Sequence, residues 1–127
     1  GNVYVIDHED NTIQKFTTSG TFVKEWNVQR TNASDLVPTG IAADNAGNVY
    51  VIDPGDDTIQ KFTTDGTFVK EWNVQRTKIS PVVPTAIAAD SAGNVYVLDV
   101  ENDKIQKFRT NGTFVKESNI PRRKMSE

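Results

Sequence analysis

The chain has 127 residues, a net charge of −3 and no cysteine. That length suits one ordinary domain, and the missing thiols exclude disulfides and thiolate metal sites. An acidic total gives no global basic surface, and no apolar run approaches the roughly 20 residues of a membrane helix, so neither a nucleic-acid partner nor membrane insertion is expected.

Taken in order, the first stretch is "GNVYVID" from Gly1, rich in β-branched and aromatic residues and so read as a strand. A polar loop, "HEDN", leads to a second strand, "TIQKFTT" from Thr12. Ser19-Gly20 predicts a two-residue hairpin turn, and "TFVKEWNV" from Thr21 is the third strand. After a longer connection, "TGIAAD" (Thr39 to Asp44) is a short apolar run ending at an Asx turn, and "NAGN" turns the chain. Then the opening pattern returns, as "GNVYVID" at Gly47 and again as "GNVYVLD" at Gly93. The three glycines are each 46 residues apart, as are Phe16, Phe62 and Phe108. A fixed period of that size marks a repeat architecture. The stretch from Ile13 recurs from Ile59 with Asp65 in place of Ser19, which points to recent duplication or deliberate design. The third copy has drifted, and Ser118 stands where Trp26 and Trp72 stood.

No helical period occurs. Four short antiparallel strands, a connection, and the same again predict an all-β chain whose units are blades of a β-propeller. In "VYVI" and "IQKF" apolar side chains alternate to both faces, as a blade stacked between two others requires. The predicted organisation is a partial blade at 1–37 (strands two to four), full blades at 38–83 and 84–120, and a charged tail at 121–127. Two blades are thus complete and one lacks its innermost strand, leaving an unpaired edge. Tyr4, Phe16, Tyr50, Phe62, Tyr96 and Phe108 are the expected blade core, and Trp26 and Trp72 are expected to pack at the blade margins.

The residues Pro38, "GIAAD", "GNVYVID", "IQKF" and "GTF" resemble the NHL repeat. Ala86 departs from it where Gly40 stood, and the loops before the third strands are unusually acidic. The resemblance implies a ring that typically closes with six blades, of which this chain would be about half. A half ring exposes apolar blade faces. The chain also begins inside a strand pattern, as expected of a fragment, a processed product or a trimmed chain. Two completions follow. Two copies close a six-bladed ring as a homodimer, or a longer chain supplies the remaining blades.

The resemblance further implies that loops between second and third strands share a binding face with the connections between blades. That face would carry Asp7, Asp10, Asp53, Asp56, Asp57, Asp99 and Asp103 beside Gln29, Arg30, Gln75 and Arg76. Such carboxylates suit a hard cation, calcium above all, or a basic peptide. They equally suit caps on their own turns, and repetition of the same Asp in each copy favours that reading. Asp44 and Asp90 are read as turn residues for the same reason. His8 is the single histidine, so a His-based zinc site cannot be assembled. No nucleophile elbow is present. The expectation is a non-enzymatic scaffold or protein-interaction module without cofactor. A calcium-dependent hydrolase or lyase and a sugar- or peptide-binding sensor are the alternatives. Sequons at Asn32 and Asn111 lean toward a secreted or cell-surface protein.

Overall fold

The computed structural model describes residues 2–7, 10–28, 39–53, 57–74, 84–99 and 103–121. Among them are eleven strands in three antiparallel sheets. The first sheet holds β1 (Asn2–Asp7), β2 (Thr12–Thr17) and β3 (Phe22–Asn27). The second holds β4 (Gly40–Ala43), β5 (Val49–Asp53), β6 (Thr58–Phe62) and β7 (Phe68–Asn73). The third holds β8 (Pro84–Ala89), β9 (Asn94–Asp99), β10 (Lys104–Arg109) and β11 (Phe114–Asn119). Each is a simple meander, and among the described residues the first has no counterpart of the strand that β4 and β8 supply to the other two.

The two-faced patterning sets the core. Strand side chains alternate, so Val49 and Val51 point toward the first sheet while Tyr50 and Ile52 point toward the third. Val49, Val51 and Phe62 are buried with Ile13 and Val28, flanked by Tyr4, Ile6 and Trp26. Tyr50, Ile52, Ile59 and Val74 are buried with Val95, Val97 and Phe108, flanked by Trp72 and Ile87. The core is therefore two successive joints between sheets, and residues 46 apart play equal parts in them.

The structure corrects the hairpin turn predicted at Ser19-Gly20, and does so in the same way at its repeats Asp65-Gly66 and Asn111-Gly112. Gly66 bonds its N–H back to the Thr63 carbonyl, and Thr63 bonds its N–H to the Thr67 carbonyl. Gly66 has φ +92, while Asp65 is not among the residues of positive φ. A two-residue primed turn needs φ above zero at its first central position, which Asp65 would occupy. The chain instead makes a three-residue loop, Thr64 to Gly66, that ends in a left-handed glycine, with a register shift after Lys61 and Lys15. The same turn forms at Gly20 and Gly112, and at the middle copy Asp65 Oδ1 also accepts from the hydroxyls of Thr63 and Thr67 and from the Thr67 N–H.

Candidate functional site

Among the described acidic residues, Asp7, Asp10, Asp57, Asp99 and Asp103 lie at one end of the sheets. Asp7 Oδ1 accepts the Asp10 N–H at 3.4 Å, which makes it the cap of its own turn. Asp10 is exposed and Asp99 is buried. Asp57 and Asp103, with Asn11 in the first sheet, all sit at φ 56. Their carbonyls accept the N–H groups of Val74, Ile120 and Val28, each at 2.8–2.9 Å. The left-handed position is one that Asn and Asp tolerate better than other side chains. Gln29, Arg30, Asn32, Asp56, Gln75, Arg76, His8 and the side chain of Asp53 lie outside the described residues. Asn111 is exposed in a hairpin turn, where its Oδ1 accepts the Thr113 N–H. Among the described residues no group of three or more His, Cys, Asp or Glu is placed to hold a metal ion.

The opposite end carries a better organised constellation. Asp44 Oδ1 accepts the N–H groups of Ala46 at 3.0 Å and Asn48 at 2.9 Å. Its Oδ2 accepts the Asn48 side-chain amide at 3.1 Å and the Tyr50 hydroxyl at 2.7 Å. Asp90 repeats this with Ala92, Asn94 and Tyr96, the last at 2.8 Å. Burial pushes the Asp44 carboxyl up, but the donors from Tyr50, Asn48 and Ala46 outweigh it and hold it below the usual range. Bonds from Asn94 and Tyr96 pull Asp90 down to about 2. Burial, then the bond to Asp44, pushes the Tyr50 hydroxyl well above its ordinary value. The Asx turn was legible in the sequence. The tyrosine's part was not, although the spacing of Asp44, Asn48 and Tyr50 recurs in Asp90, Asn94 and Tyr96.

Between sheets, each joint uses one set of parts. Lys15 Nζ donates to the Thr64 carbonyl at 2.8 Å, and Lys61 Nζ to the Thr110 carbonyl at 2.7 Å. Lys24 and Lys70 reach the carbonyls of Asp65 and Asn111. Trp26 lies between Tyr4 and Phe62, with centroids 6.3 and 6.2 Å away, and Trp72 lies likewise between Tyr50 and Phe108. The tryptophans thus join one sheet to the next.

Half a joint is left open at each end. On the first sheet Val3 and Val5 are 47% and 43% exposed, while their counterparts Val49 and Val51 are fully buried. On the third sheet an apolar concavity of about 260 Å³ is bounded by Ala86, Ile87, Tyr96, Leu98 and Ile105. Tyr50, Phe62 and Phe108 lie fully in the core. Tyr4, Phe16 and Tyr96 are half-buried, because Phe16 and Tyr96 belong to these open faces and Tyr4 borders a strand's absence.

No family model matches the chain, and no curated protein does. Solved structures do. A catalytically inactive variant of virginiamycin B lyase from Staphylococcus aureus, with quinupristin, aligns at TM-score 0.72 and 22% identity, over 95% of this chain and 38% of that one. The fold is that of a β-propeller. The WD40 repeats of RRP9 align at TM-score 0.71 and 10% identity, over 93% of this chain and 35% of that one. A chain of a nidogen–laminin complex aligns at TM-score 0.67 and 16% identity, over 95% and 43%. These likenesses establish architecture, which hosts many activities. The propeller chain described here spans well under half the length of each of them.

Proposed function

We propose that this chain is a non-enzymatic propeller module of the NHL type, a structural or protein-interaction scaffold completed through its open blade faces by self-association or by further blades. One observation carries the reading. The two open faces are the two halves of a joint that the chain already makes twice. Val3, Val5 and Phe16 repeat the receiving half, formed elsewhere by Val49, Val51 and Phe62. Tyr96, Ile105, Lys107 and Lys116 repeat most of the delivering half. Exposed apolar area of this kind marks an association surface. Asp44 and Asp90 support the reading too, since their carboxylate oxygens are taken up by turn donors rather than turned toward a substrate.

The chain has no cysteine, so single cysteines report coverage cleanly. Val5→Cys and Ile105→Cys should react with a maleimide much more slowly than Thr21→Cys, which sits on an exposed turn. Equal rates at all three positions, in protein that keeps its sheet signal, would defeat completion by self-association and leave only completion by further blades.

A further inference from the structure

The three hairpin turns are built alike, but the residue before the glycine differs: Ser19, Asp65 and Asn111. Asn111 is the one asparagine of the chain that a glycine follows. That pairing is chemically reactive. Gly112 has no Cβ, so its backbone nitrogen can approach the side-chain amide carbon of Asn111 and close a ring with it. Asn111 is exposed, so water reaches the ring and ammonia leaves freely. In the folded turn both reacting groups are held. Gly112 donates its N–H to the Arg109 carbonyl at 3.0 Å, and Asn111 Oδ1 accepts the Thr113 N–H at 3.0 Å.

The middle copy shows what an aspartate meets at this place, because Asp65 already occupies it. Its Oδ1 accepts from the hydroxyls of Thr63 and Thr67 and from the Thr67 N–H. These bonds hold its carboxyl below the ordinary range. In the third copy Thr113 repeats Thr67, and a cation, Arg109, stands in place of Thr63. An aspartate at 111 therefore finds the same backbone donor and a charge of opposite sign nearby. An isoaspartate fits differently. It puts one more backbone atom ahead of Gly112, where there is no slack: a Cβ on Gly112 would already stand 2.8 Å from the Trp72 indole. The Asn111 carbonyl that accepts from Lys70 Nζ also leaves the main chain in that product.

We infer that Asn111 is a self-modification site, whose aspartate product keeps the joint between the second and third sheets and whose isoaspartate product opens it. The Gly112 nitrogen bonds to Cγ of Asn111, and the bond from Cγ to the amide nitrogen breaks. Ammonia leaves, carrying the Gly112 proton passed to it through water, and a succinimide remains. Water then adds to one of the two ring carbonyls, and the ring opens to aspartate or to isoaspartate. Water is the only co-reactant. Each event adds one negative charge and is not reversed in water. Both bonds that hold the turn must open first, so the rate follows the local opening of this hairpin. The joint is one the chain makes with itself, and the site does not depend on what covers the open blade faces.

The test ages the 127-residue chain, free of glycan, in neutral buffer. Peptide mapping follows, with fragmentation that separates aspartate from isoaspartate. Asn111 should convert ahead of every other asparagine. It should convert about 30-fold more slowly than in the urea-unfolded chain, the factor that two ordinary hydrogen bonds supply together. Asn111→Ser, which copies Ser19, should abolish the conversion and keep Tm within about 2 °C. Asn111→Asp should keep Tm equally well. The isoaspartate fraction, isolated from aged chain by anion exchange, should melt about 5 °C or more lower. An Asn111 still intact after about a hundred times its half-life in urea overturns the inference. So does a folded chain that converts as fast as the unfolded one, since the turn would then hold neither reacting group. An isoaspartate fraction that melts with the fresh chain, or an Asn111→Asp variant that melts as low as isoaspartate, overturns it equally.

Discussion

A Cβ placed on Gly66 would stand 2.8 Å from the indole of Trp26, and one on Gly112 the same distance from Trp72. Each hairpin turn is thus the seat on which the tryptophan of the preceding sheet rests. Gly20 has the same φ of +92, but nothing lies within 4 Å of its Cβ position. Gly66→Ala and Gly112→Ala should each cost about 3 kcal/mol, combining left-handed strain with overpacking. Gly20→Ala carries the strain alone and should cost roughly 1–2 kcal/mol. Urea unfolding of the three variants separates the two contributions. Equal losses would mean that the indole does not seat on the turn.

Trp72 tests the same joint from the other side. Trp72→Ala should cost about 3 kcal/mol, whereas Ser118→Ala, at an exposed position, should stay within about 0.5 kcal/mol. Combined with Gly112→Ala, the Trp72 loss should be less than additive, because the collision disappears with the indole. Strict additivity would place the two residues in separate environments.

The repeat made most of the fold readable. Period, alternation and turn residues located all eleven strands and the missing inner one, because each of these signals is local. The hairpin at Ser19-Gly20 was misjudged because two-residue and three-residue loops use the same pair of a small polar residue and glycine, and only the φ of the residue before the glycine separates them. The Asp44–Tyr50 bond was hidden because hydroxyl direction depends on which face of β5 the tyrosine occupies within the joint. The left-handed backbone of Asp57 and Asp103 was not legible in the acidic loops. Composition cannot distinguish a residue chosen for charge from one chosen for tolerance of left-handed backbone.

That distinction can be measured at Asp57. If the left-handed angle governs, Asp57→Asn and Asp57→Gly should leave stability within about 0.5 kcal/mol. Asp57→Val should cost roughly 2 kcal/mol, because a β-branched residue is a true outlier there. The Tm order Asp, Asn and Gly together, with Val far below, is the expected result. A large loss in Asp57→Asn would show that the carboxylate charge matters.

The carboxylates of Asp44 and Asp90 set an acid limit on the fold. Both are held below the ordinary value of 3.8, Asp90 at about 2. A group whose pKa is lower in the folded than in the unfolded chain binds protons more readily when unfolded, so stability falls as the pH is lowered. The contribution is complete above about pH 4 and is lost as pH drops toward about 2. Tyr50 and Tyr96 work in the other direction, being raised by burial and by their bonds to these aspartates. Their contribution is complete below the ordinary tyrosine value of 10.0 and disappears at higher pH. The urea midpoint should therefore fall at both extremes. In the Asp44→Asn, Asp90→Asn double variant it should be lower at pH 6 and should change less between about pH 4 and 2. A double variant that keeps the full acid slope would assign that slope to other carboxylates and remove Asp44 and Asp90 as the pins of their sheets.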